Sequence, residues 1–118
     1  MLLGAAVLIA TLVLAGCGGG DGSRSAGGSS PYPEGRQADD RQLVAGRGVY
    51  VGSCARCHGA SGQGNIGPRL AGRVADRFPD IEDQIGFVES GKGIMPGFGN
   101  LLTDEEIRAV VRYEREVL

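Results

Sequence analysis

The residues with the most specific chemistry form one short run, Cys54-Ala55-Arg56-Cys57-His58. Two thiols three positions apart can add to the two vinyl groups of one porphyrin. A histidine directly after the second thiol supplies an imidazole where the iron needs its proximal ligand. The spacing therefore predicts one covalently attached haem, with Cys54 and Cys57 as the attachment residues and His58 as an axial ligand of the iron.

Two other sites use paired cysteines, a thioredoxin-type redox pair and half of a zinc site. The redox pair usually follows a strand at the start of a βαβ unit, and no strand pattern leads into Cys54. A zinc site needs two more ligands, whereas Cys17 is the only other cysteine and His58 is the only histidine. Haem attachment is therefore the better interpretation.

The beginning of the chain predicts export. Residues 2–15 are almost entirely apolar, about 14 positions against the roughly 20 of a membrane-spanning helix. This length suits the hydrophobic region of a signal peptide. The run Leu14-Ala15-Gly16-Cys17 resembles the lipobox of bacterial lipoproteins, which are cleaved before the cysteine and lipidated on it. We therefore expect residues 1–16 to be a lipoprotein-type signal and Cys17 to anchor the protein at the extracytoplasmic face of a membrane.

One feature of this segment departs from the usual signal, since no Lys or Arg precedes the apolar run. The start then lies upstream, or the α-amino group of Met1 supplies the charge alone. An uncleaved short anchor and ordinary cleavage nearby also stay open as alternatives to lipidation of Cys17. Each of these possibilities exports the protein, as covalent haem attachment outside the cytoplasm requires.

The composition changes twice after the apolar run. Residues 17–40 are rich in Gly, Ser and Pro, cannot bury enough apolar surface to offset ordering entropy, and so predict a flexible tether. Residues 41–118 are the only candidate globular domain, and their basic and acidic residues balance, so nothing indicates a nucleic-acid surface. Because the domain is small and the chain has no Trp, we expect a buried haem to complete its core.

Three main helices are expected in this domain. The first begins at Asp39 or Asp40 and runs to about Gly52. The next begins at Pro79-Asp80 and stops at Gly91. The last begins with a capping box from Thr103 to Glu106. The residues that recur at helical spacing on their apolar faces are Leu43, Gly46, Val49 and Tyr50, then Ile81, Ile85 and Val88, then Ile107, Val110, Val111 and Tyr113.

Arg108, Arg112 and Arg115 of the last helix are expected to point outward, and a short helical turn is expected within residues 67–73. Gly46 lies inside the first helix, where close approach by the last helix would explain a glycine. No convincing strand pattern occurs, so the fold class is all-α.

The chain resembles the class I cytochromes c over about residues 39–118. Gly46 and Tyr50 lie eight and four positions before the first haem cysteine, as a glycine and an aromatic do in that family. Val110 and Tyr113 match the residues of the last helix against which they pack. Gly67-Pro68-Arg69-Leu70 matches the Gly-Pro-x-Leu segment that follows the haem site in that family, and Gly91-Lys92-Gly93-Ile94-Met95-Pro96 resembles the segment that carries the distal methionine.

The resemblance implies two further roles. The Pro68 carbonyl would accept the proton of the proximal imidazole and so orient His58, and Met95 would be the second axial ligand. Elimination also favours Met95, because His58 is the only imidazole and Met1 is lost with the signal. The alternative for Met95 is a core-filling role, to which methionine is well suited.

Ligation by His58 and Met95 fills both axial positions, which favours electron transfer over catalysis. We expect a monomeric, membrane-tethered monohaem c-type cytochrome that passes single electrons between redox partners such as membrane respiratory complexes. One alternative is a fixed relay subunit of an oxidase or dehydrogenase, and another is a haem sensor or enzyme with a labile Met95. Arg56, Arg69, Arg73 and Lys92 would steer an acidic partner, pair with haem propionates, or form an ordinary solvated surface.

Overall fold

The structure is a computed structural model and describes residues 35–118. Its elements in chain order are a 3₁₀ turn Gly35–Gln37, α1 Arg41–Val49, a π-helical segment Tyr50–Cys54, α2 Ala55–His58, α3 Val74–Arg77, α4 Ile81–Ser90 and α5 Asp104–Glu116. Within this range the only β-type pairing is an isolated bridge between Lys92 and Met95. The described part is therefore all-α, as the sequence predicts.

The first helix begins at Asp40, whose carboxylate accepts hydrogen bonds from the backbone N–H groups of Gln42 and Leu43. It does not end near Gly52, so that boundary of the prediction is wrong. Instead α1 widens into the π-helical segment and continues as α2 to His58. Gly46 and Gly48 weaken the helix pattern, but packing on α5 outweighs their low helix propensity. Single π-turns in helices are frequent at functional sites, and this one ends at Cys54.

The crossing of α1 with α5 is the main helix–helix contact of the domain. A Cβ atom on Gly46 would overlap the backbone carbonyl of Ala109 and lie 2.9 Å from the Cβ of Tyr113. The Tyr50 and Tyr113 rings are tilted against each other with their centroids 5.5 Å apart. Gly46 thus permits the close approach that the sequence predicts, although its nearest neighbour is Ala109 rather than Val110.

Helix α5 separates two apolar clusters of the core. The first joins α1 and the π-helical segment to α5, and the second joins α4 and the following loop to α5. The capping box is present, since Thr103 accepts from the Glu106 N–H and the Glu106 carboxylate accepts from the Thr103 N–H. The buried members of the first cluster are Leu43, Tyr50, Cys54, Ala71, Val110, Tyr113, Val117 and Leu118, and those of the second are Ile85, Val88, Phe98, Ile107 and Val111.

Two smaller expectations need correction. The helical turn expected within residues 67–73 lies just after that stretch, as α3. Only Arg108 of the three arginines on α5 is well exposed. Arg112 is ion-paired with Asp40 and Glu116, and Arg115 is half-buried and donates to the Phe78 carbonyl. Helical spacing puts both near the edge of the buried stripe, where their long stems cover apolar surface.

Part of the predicted organisation lies outside the described residues, namely the signal at 1–16, Cys17 and most of the expected tether at 17–40. Gln37 donates a hydrogen bond to the carbonyl of Glu116, so the described chain contacts the end of α5 before α1 begins. Among residues 35–118, none of the helices combines the length and the apolar character that crossing a membrane requires.

Candidate haem-binding site

Residues from most elements of the domain line one cavity of about 520 Å³. Cys54, Cys57 and His58 enter from one side, and Met95 enters from the loop after α4. The cavity volume is within the range of cofactor pockets, roughly 300–1,000 Å³. The structure therefore brings together the four residues that the sequence nominated for haem attachment and iron ligation.

His58 is held from two directions by the segment that follows it. Its Nδ1 atom lies 2.8 Å from the carbonyl oxygen of Pro68, the contact that the resemblance implied. A Cβ atom on Gly67 would lie 2.8 Å from the Cε1 atom of the imidazole. Gly67 therefore leaves room for the ring, while the Pro68 oxygen fixes its rotation. This hydrogen bond requires the proton on Nδ1, so Nε2 keeps a free lone pair for a metal ion.

The segment between His58 and Pro68 is folded back by backbone hydrogen bonds. Gly64 N–H donates to the carbonyl of His58 at 2.7 Å, and Gly67 N–H donates to the carbonyl of Cys57 at 2.8 Å. The Tyr50 hydroxyl donates to the carbonyl of Gly59 at 2.8 Å. These contacts tie the loop to α2 and place Pro68 beside the imidazole.

Met95 sits at the end of a tight turn. Lys92 and Met95 exchange two backbone hydrogen bonds of 3.0 and 3.1 Å, and Gly91 and Gly93 adopt positive φ angles of 69° and 61° within or beside the turn. The Met95 side chain is half-buried against the cluster that contains Val88 and Phe98. Met95 thus lines the cavity from the loop that follows α4.

The two cysteines are free thiols in the same cavity. Burial raises the pKa of Cys54 to about 12, and the charge of Glu114 adds to this rise. A reactive redox pair needs the opposite, a lowered thiol pKa that favours the thiolate. The environment of Cys54 therefore disfavours the thioredoxin-type alternative, and two unpaired thiols beside His58 fit covalent attachment of a haem.

Five exposed cations surround the cavity. Four of them are the cations singled out from the sequence, Arg56, Arg69, Arg73 and Lys92, and the fifth is Arg77 of α3. Glu114 is the only acidic residue in the lining, and its side chain is buried. The opening is therefore strongly basic, although the basic and acidic residues of the domain balance.

Comparison with known proteins agrees with this site. A family model described as cytochrome c oxidase, cbb3-type, subunit III matches residues 41–113. The chain belongs to this family of c-type cytochromes. It is a monohaem class I cytochrome c, and its cofactor is one covalently attached haem c.

The individual relatives include cytochromes c6 and cytochromes cL. The chloroplastic cytochrome c6 of Chlamydomonas reinhardtii is 35% identical over 82 residues, which are 64% of this chain and 55% of that protein. The solved structure of cytochrome c6 from the diatom Phaeodactylum tricornutum is 36% identical with a TM-score of 0.54, over 61% of this chain and 88% of the diatom chain.

Cytochrome cL from the marine methylotrophic bacterium Methylophaga aminisulfidivorans is structurally similar, with a TM-score of 0.60 at 26% identity, over 67% of this chain and 55% of that chain. The cytochrome described here thus spans about half of the length of the Chlamydomonas relative and of cytochrome cL.

One polar pair in the lining of the cavity was not predicted from the sequence of this cytochrome. Gln84 and Glu114 are 2% and 5% exposed, and Gln84 Nε2 donates to Glu114 Oε2 at 2.8 Å. The signal was present in the spacing, because Glu114 follows Val110 and Val111 at helical intervals and precedes Val117. An acidic residue at such a position on the apolar face of a helix indicates a buried carboxyl group.

Proposed function

We propose that this cytochrome is a membrane-tethered, one-electron carrier. Cys54 and Cys57 would bind the haem through thioethers, and His58 and Met95 would be the axial ligands of its iron. The observation that carries the proposal is that these four side chains line one apolar cavity, with the His58 ring fixed by the Pro68 carbonyl. When bound, haem supplies the one-electron exchange.

The chain's own residues hold and tune this group. Donation from Nδ1 to Pro68 leaves Nε2 for the iron and raises the basicity of the imidazole. The thioether of Met95 favours the reduced metal and so supports a high midpoint potential. With both axial positions filled, no coordination position stays open to a substrate. This supports a carrier over an enzyme or a gas sensor.

The basic rim suggests the kind of partner. Arg56, Arg69, Arg73, Arg77 and Lys92 are exposed around the cavity opening, and clustered charge of one sign steers the approach of an oppositely charged protein. The apolar side chains of Ile66 and Ile94 beside them are 68% and 85% exposed. We propose that an acidic redox partner docks on this face.

Tethering rests on the first part of the chain. The lipobox-like run ending at Cys17 and the Gly/Ser-rich residues that follow support a lipid anchor with a leash. A leash of this composition gives a root-mean-square reach of roughly 25 Å, enough for the domain to move between neighbouring membrane complexes. The partners would then be membrane respiratory complexes at the extracytoplasmic face.

A second candidate function is a fixed electron relay within an oxidase. It is favoured by one observation, the description of the matching family as subunit III of a cbb3-type cytochrome c oxidase. Purification from native membranes separates the two functions. A relay subunit would co-purify in fixed ratio with a catalytic subunit, whereas a carrier would separate from it in mild detergent at moderate salt.

The carrier assignment is tested by Met95→Ala, with Ile94→Ala as the control because Ile94 is next in sequence and 85% exposed. Loss of the thioether should abolish the long-wavelength sulfur-to-iron absorption band, lower the midpoint potential and let the reduced protein bind carbon monoxide. The control should keep all three properties. If the wild type lacks the band at neutral pH, or Met95→Ala keeps it, Met95 is not the ligand and the sensor or enzyme alternative is the better one.

The anchor is tested by Cys17→Ser in the full chain. The haem domain should move from the membrane fraction to the soluble extracytoplasmic fraction, or the precursor should accumulate. A variant that stays wholly with washed membranes would mean that another feature, such as an uncleaved signal, holds the protein there.

A further inference from the structure

Glu114 is a buried acidic residue in the lining of the cavity that we assign to the haem. It is 5% exposed, and it lines the cavity together with Cys54, His58 and Met95. In the described part of the chain, no Lys, Arg or His side chain forms an ion pair with it. A buried carboxylate without a cationic partner is costly, so its presence here calls for a physical reason.

A chain of hydrogen bonds through Arg115 and Gln84 holds the Glu114 side chain. Gln84 Nε2 donates to Glu114 Oε2 at 2.8 Å, and Gln84 Oε1 accepts from Arg115 Nη1 at 3.0 Å. Arg115 is itself anchored on the Phe78 carbonyl at 2.8 Å. The guanidinium therefore fixes which way the Gln84 amide points, and the amide presents its N–H to the carboxyl. This arrangement holds Glu114 in one place in either protonation state.

The charge of Glu114 reaches the residue assigned to haem attachment. It raises the pKa of Cys54 and of Tyr50, in both cases after burial as the larger cause. Burial in turn raises the pKa of Glu114 itself to about 7, against a smaller opposing effect of the Gln84 hydrogen bond. Its protonation state is therefore poised to change near neutral pH.

Polar and titratable side chains of two other elements face Glu114. Tyr50 and Cys54 face Glu114 from the π-helical segment, and Gln84 faces it from α4, with Arg115 behind the amide. The remaining charged or titratable residues of the shared cavity are Cys57, His58 and the rim cations Arg56, Arg69, Arg73, Arg77 and Lys92.

We propose that Glu114 is a proton-binding site coupled to the redox state of the haem, so that the cytochrome takes up a proton as it is reduced. The inference rests on the proposed placement of haem in this cavity. The redox partner supplies one electron, which lowers the charge of the iron by one. The neighbouring carboxylate then loses an attraction to that charge, and it takes one proton from solvent to become a neutral carboxyl. Oxidation releases both the electron and the proton.

The sign of the effect follows from this balance. Above the range in which Glu114 titrates, its negative charge stabilises the oxidised state, so the midpoint potential falls as pH rises through neutrality. We expect the proton affinity of Glu114 to increase about tenfold on reduction, which converts to about 59 mV of midpoint potential between the low-pH and high-pH limits.

The test is a redox titration of the holoprotein across pH 5 to 9 for the wild type, Glu114→Gln and the control Glu105→Gln, an exposed acid on the same helix. Glutamine keeps the size of the side chain and can accept from Gln84, but it cannot titrate. The wild type and control should show the fall in potential, and Glu114→Gln should be flat. Redox-difference infrared spectra should show a protonated carboxyl C=O band on reduction of the wild type that Glu114→Gln lacks.

Glu114→Leu serves the same purpose if the glutamine variant does not mature, because it fills the site with an apolar side chain. A wild type with a flat potential, or a fall that persists in both variants, would overturn the proposal and assign the proton to another group such as a haem propionate. The sulfur-to-iron band, measured on the same samples, reports whether Met95 and the haem are in place. A failure of the Glu114 proposal is therefore distinct from a failure of the proposed function.

Discussion

The two sides of the cavity are held in different ways. His58 is 7% exposed and is fixed by residues up to ten positions away, through the Pro68 carbonyl and the backbone of Gly67. Met95 is half-buried and is held within a turn of a few residues, beside an Ile94 that is 85% exposed. The difference suggests that the His58 side is part of the cooperative fold, whereas the Met95 side can open locally.

The largest expected effect is on the Met95 side, from Gly91→Ala. Gly91 has a positive φ of 69°, and a Cβ atom there would lie 2.5 Å from the backbone of Met95 and of Gly97. The turn would have to open, so the sulfur-to-iron band should be lost at neutral pH while the haem stays attached. Absorption spectra and denaturant unfolding should report a lost band with unfolding that is still cooperative.

Gly93→Ala is the matched control for this experiment. Gly93 also has a positive φ, 61°, but a Cβ atom there meets nothing within 4 Å. Gly93→Ala should lower the free energy of unfolding by only about 1–2 kcal/mol, the cost of a left-handed backbone conformation for a residue with a Cβ atom. It should keep the sulfur-to-iron band. Equal spectra for the two variants would show that the crowding at Gly91 does not hold Met95.

A substitution on the His58 side should change the free energy of unfolding of the whole domain. Gly67→Ala places a Cβ atom 2.8 Å from the imidazole, and overpacking of this kind costs about 1–3 kcal/mol in unfolding free energy. Gly52→Ala is the control, because a Cβ atom there meets nothing within 4 Å. It should be neutral or stabilising by up to about 1 kcal/mol, as in a helix interior. Equal denaturation midpoints for the two variants would show that the His58 ring does not require a glycine at position 67.

A smaller loss is expected from Tyr50→Phe. The buried hydroxyl of Tyr50 donates to the Gly59 carbonyl, where the loop toward Pro68 begins. Removing this bond should cost about 0.5–1.5 kcal/mol of unfolding free energy. Chemical denaturation of the holoprotein measures it, and an unchanged free energy would mean that the loop is held without this contact.

The smallest effect concerns a site remote from both sides of the cavity. The hydrogen bond from Arg112 is the main cause that lowers the pKa of Asp40 below its ordinary value of 3.8, with help from the Leu43 N–H. A lowered folded-state pKa contributes stability that is fully present above the unfolded Asp value of about 4 and is lost as pH falls through the lower folded-state pKa.

Asp40→Asn keeps a good helix cap but removes this charge. The wild type should therefore be slightly more stable than the variant at pH 6, and the difference should disappear well below pH 3.8. The sulfur-to-iron band should not change at pH 6. A stability difference that persists at the lowest pH would exclude the Asp40 charge as its source.

Much of the fold was predictable because its signals are local. The acceptor at Asp40, the capping box at Thr103 and the stop at Gly91 each depend on side chains within a few residues, and all three are present. The boundary near Gly52 was wrong because two helix-weakening glycines carried the local signal, while the contact with Ala109 that stabilises the helix lies far along the chain.

The candidate site divides in the same way. Cys54, Cys57 and His58 were predicted as haem-binding residues from their spacing within five residues. Met95 was predicted as an iron ligand because few other residues of the chain can ligate iron. Their roles stay proposals, but their common cavity is a feature of the fold. The Glu114–Gln84 pair joins residues thirty positions apart, and no pattern along the chain connects an amide of α4 to a carboxyl of α5.

The sequence by itself identified the candidate haem-binding side chains and determined where the main helices begin. These follow from residue type and short-range spacing, which act on the chain before it folds. Only the tertiary structure decided which residues share the cavity, that five cations surround its opening and that one buried acidic residue lines it. Burial and electrostatic environment are properties of the packed chain, because they depend on which distant segments exclude water from a group.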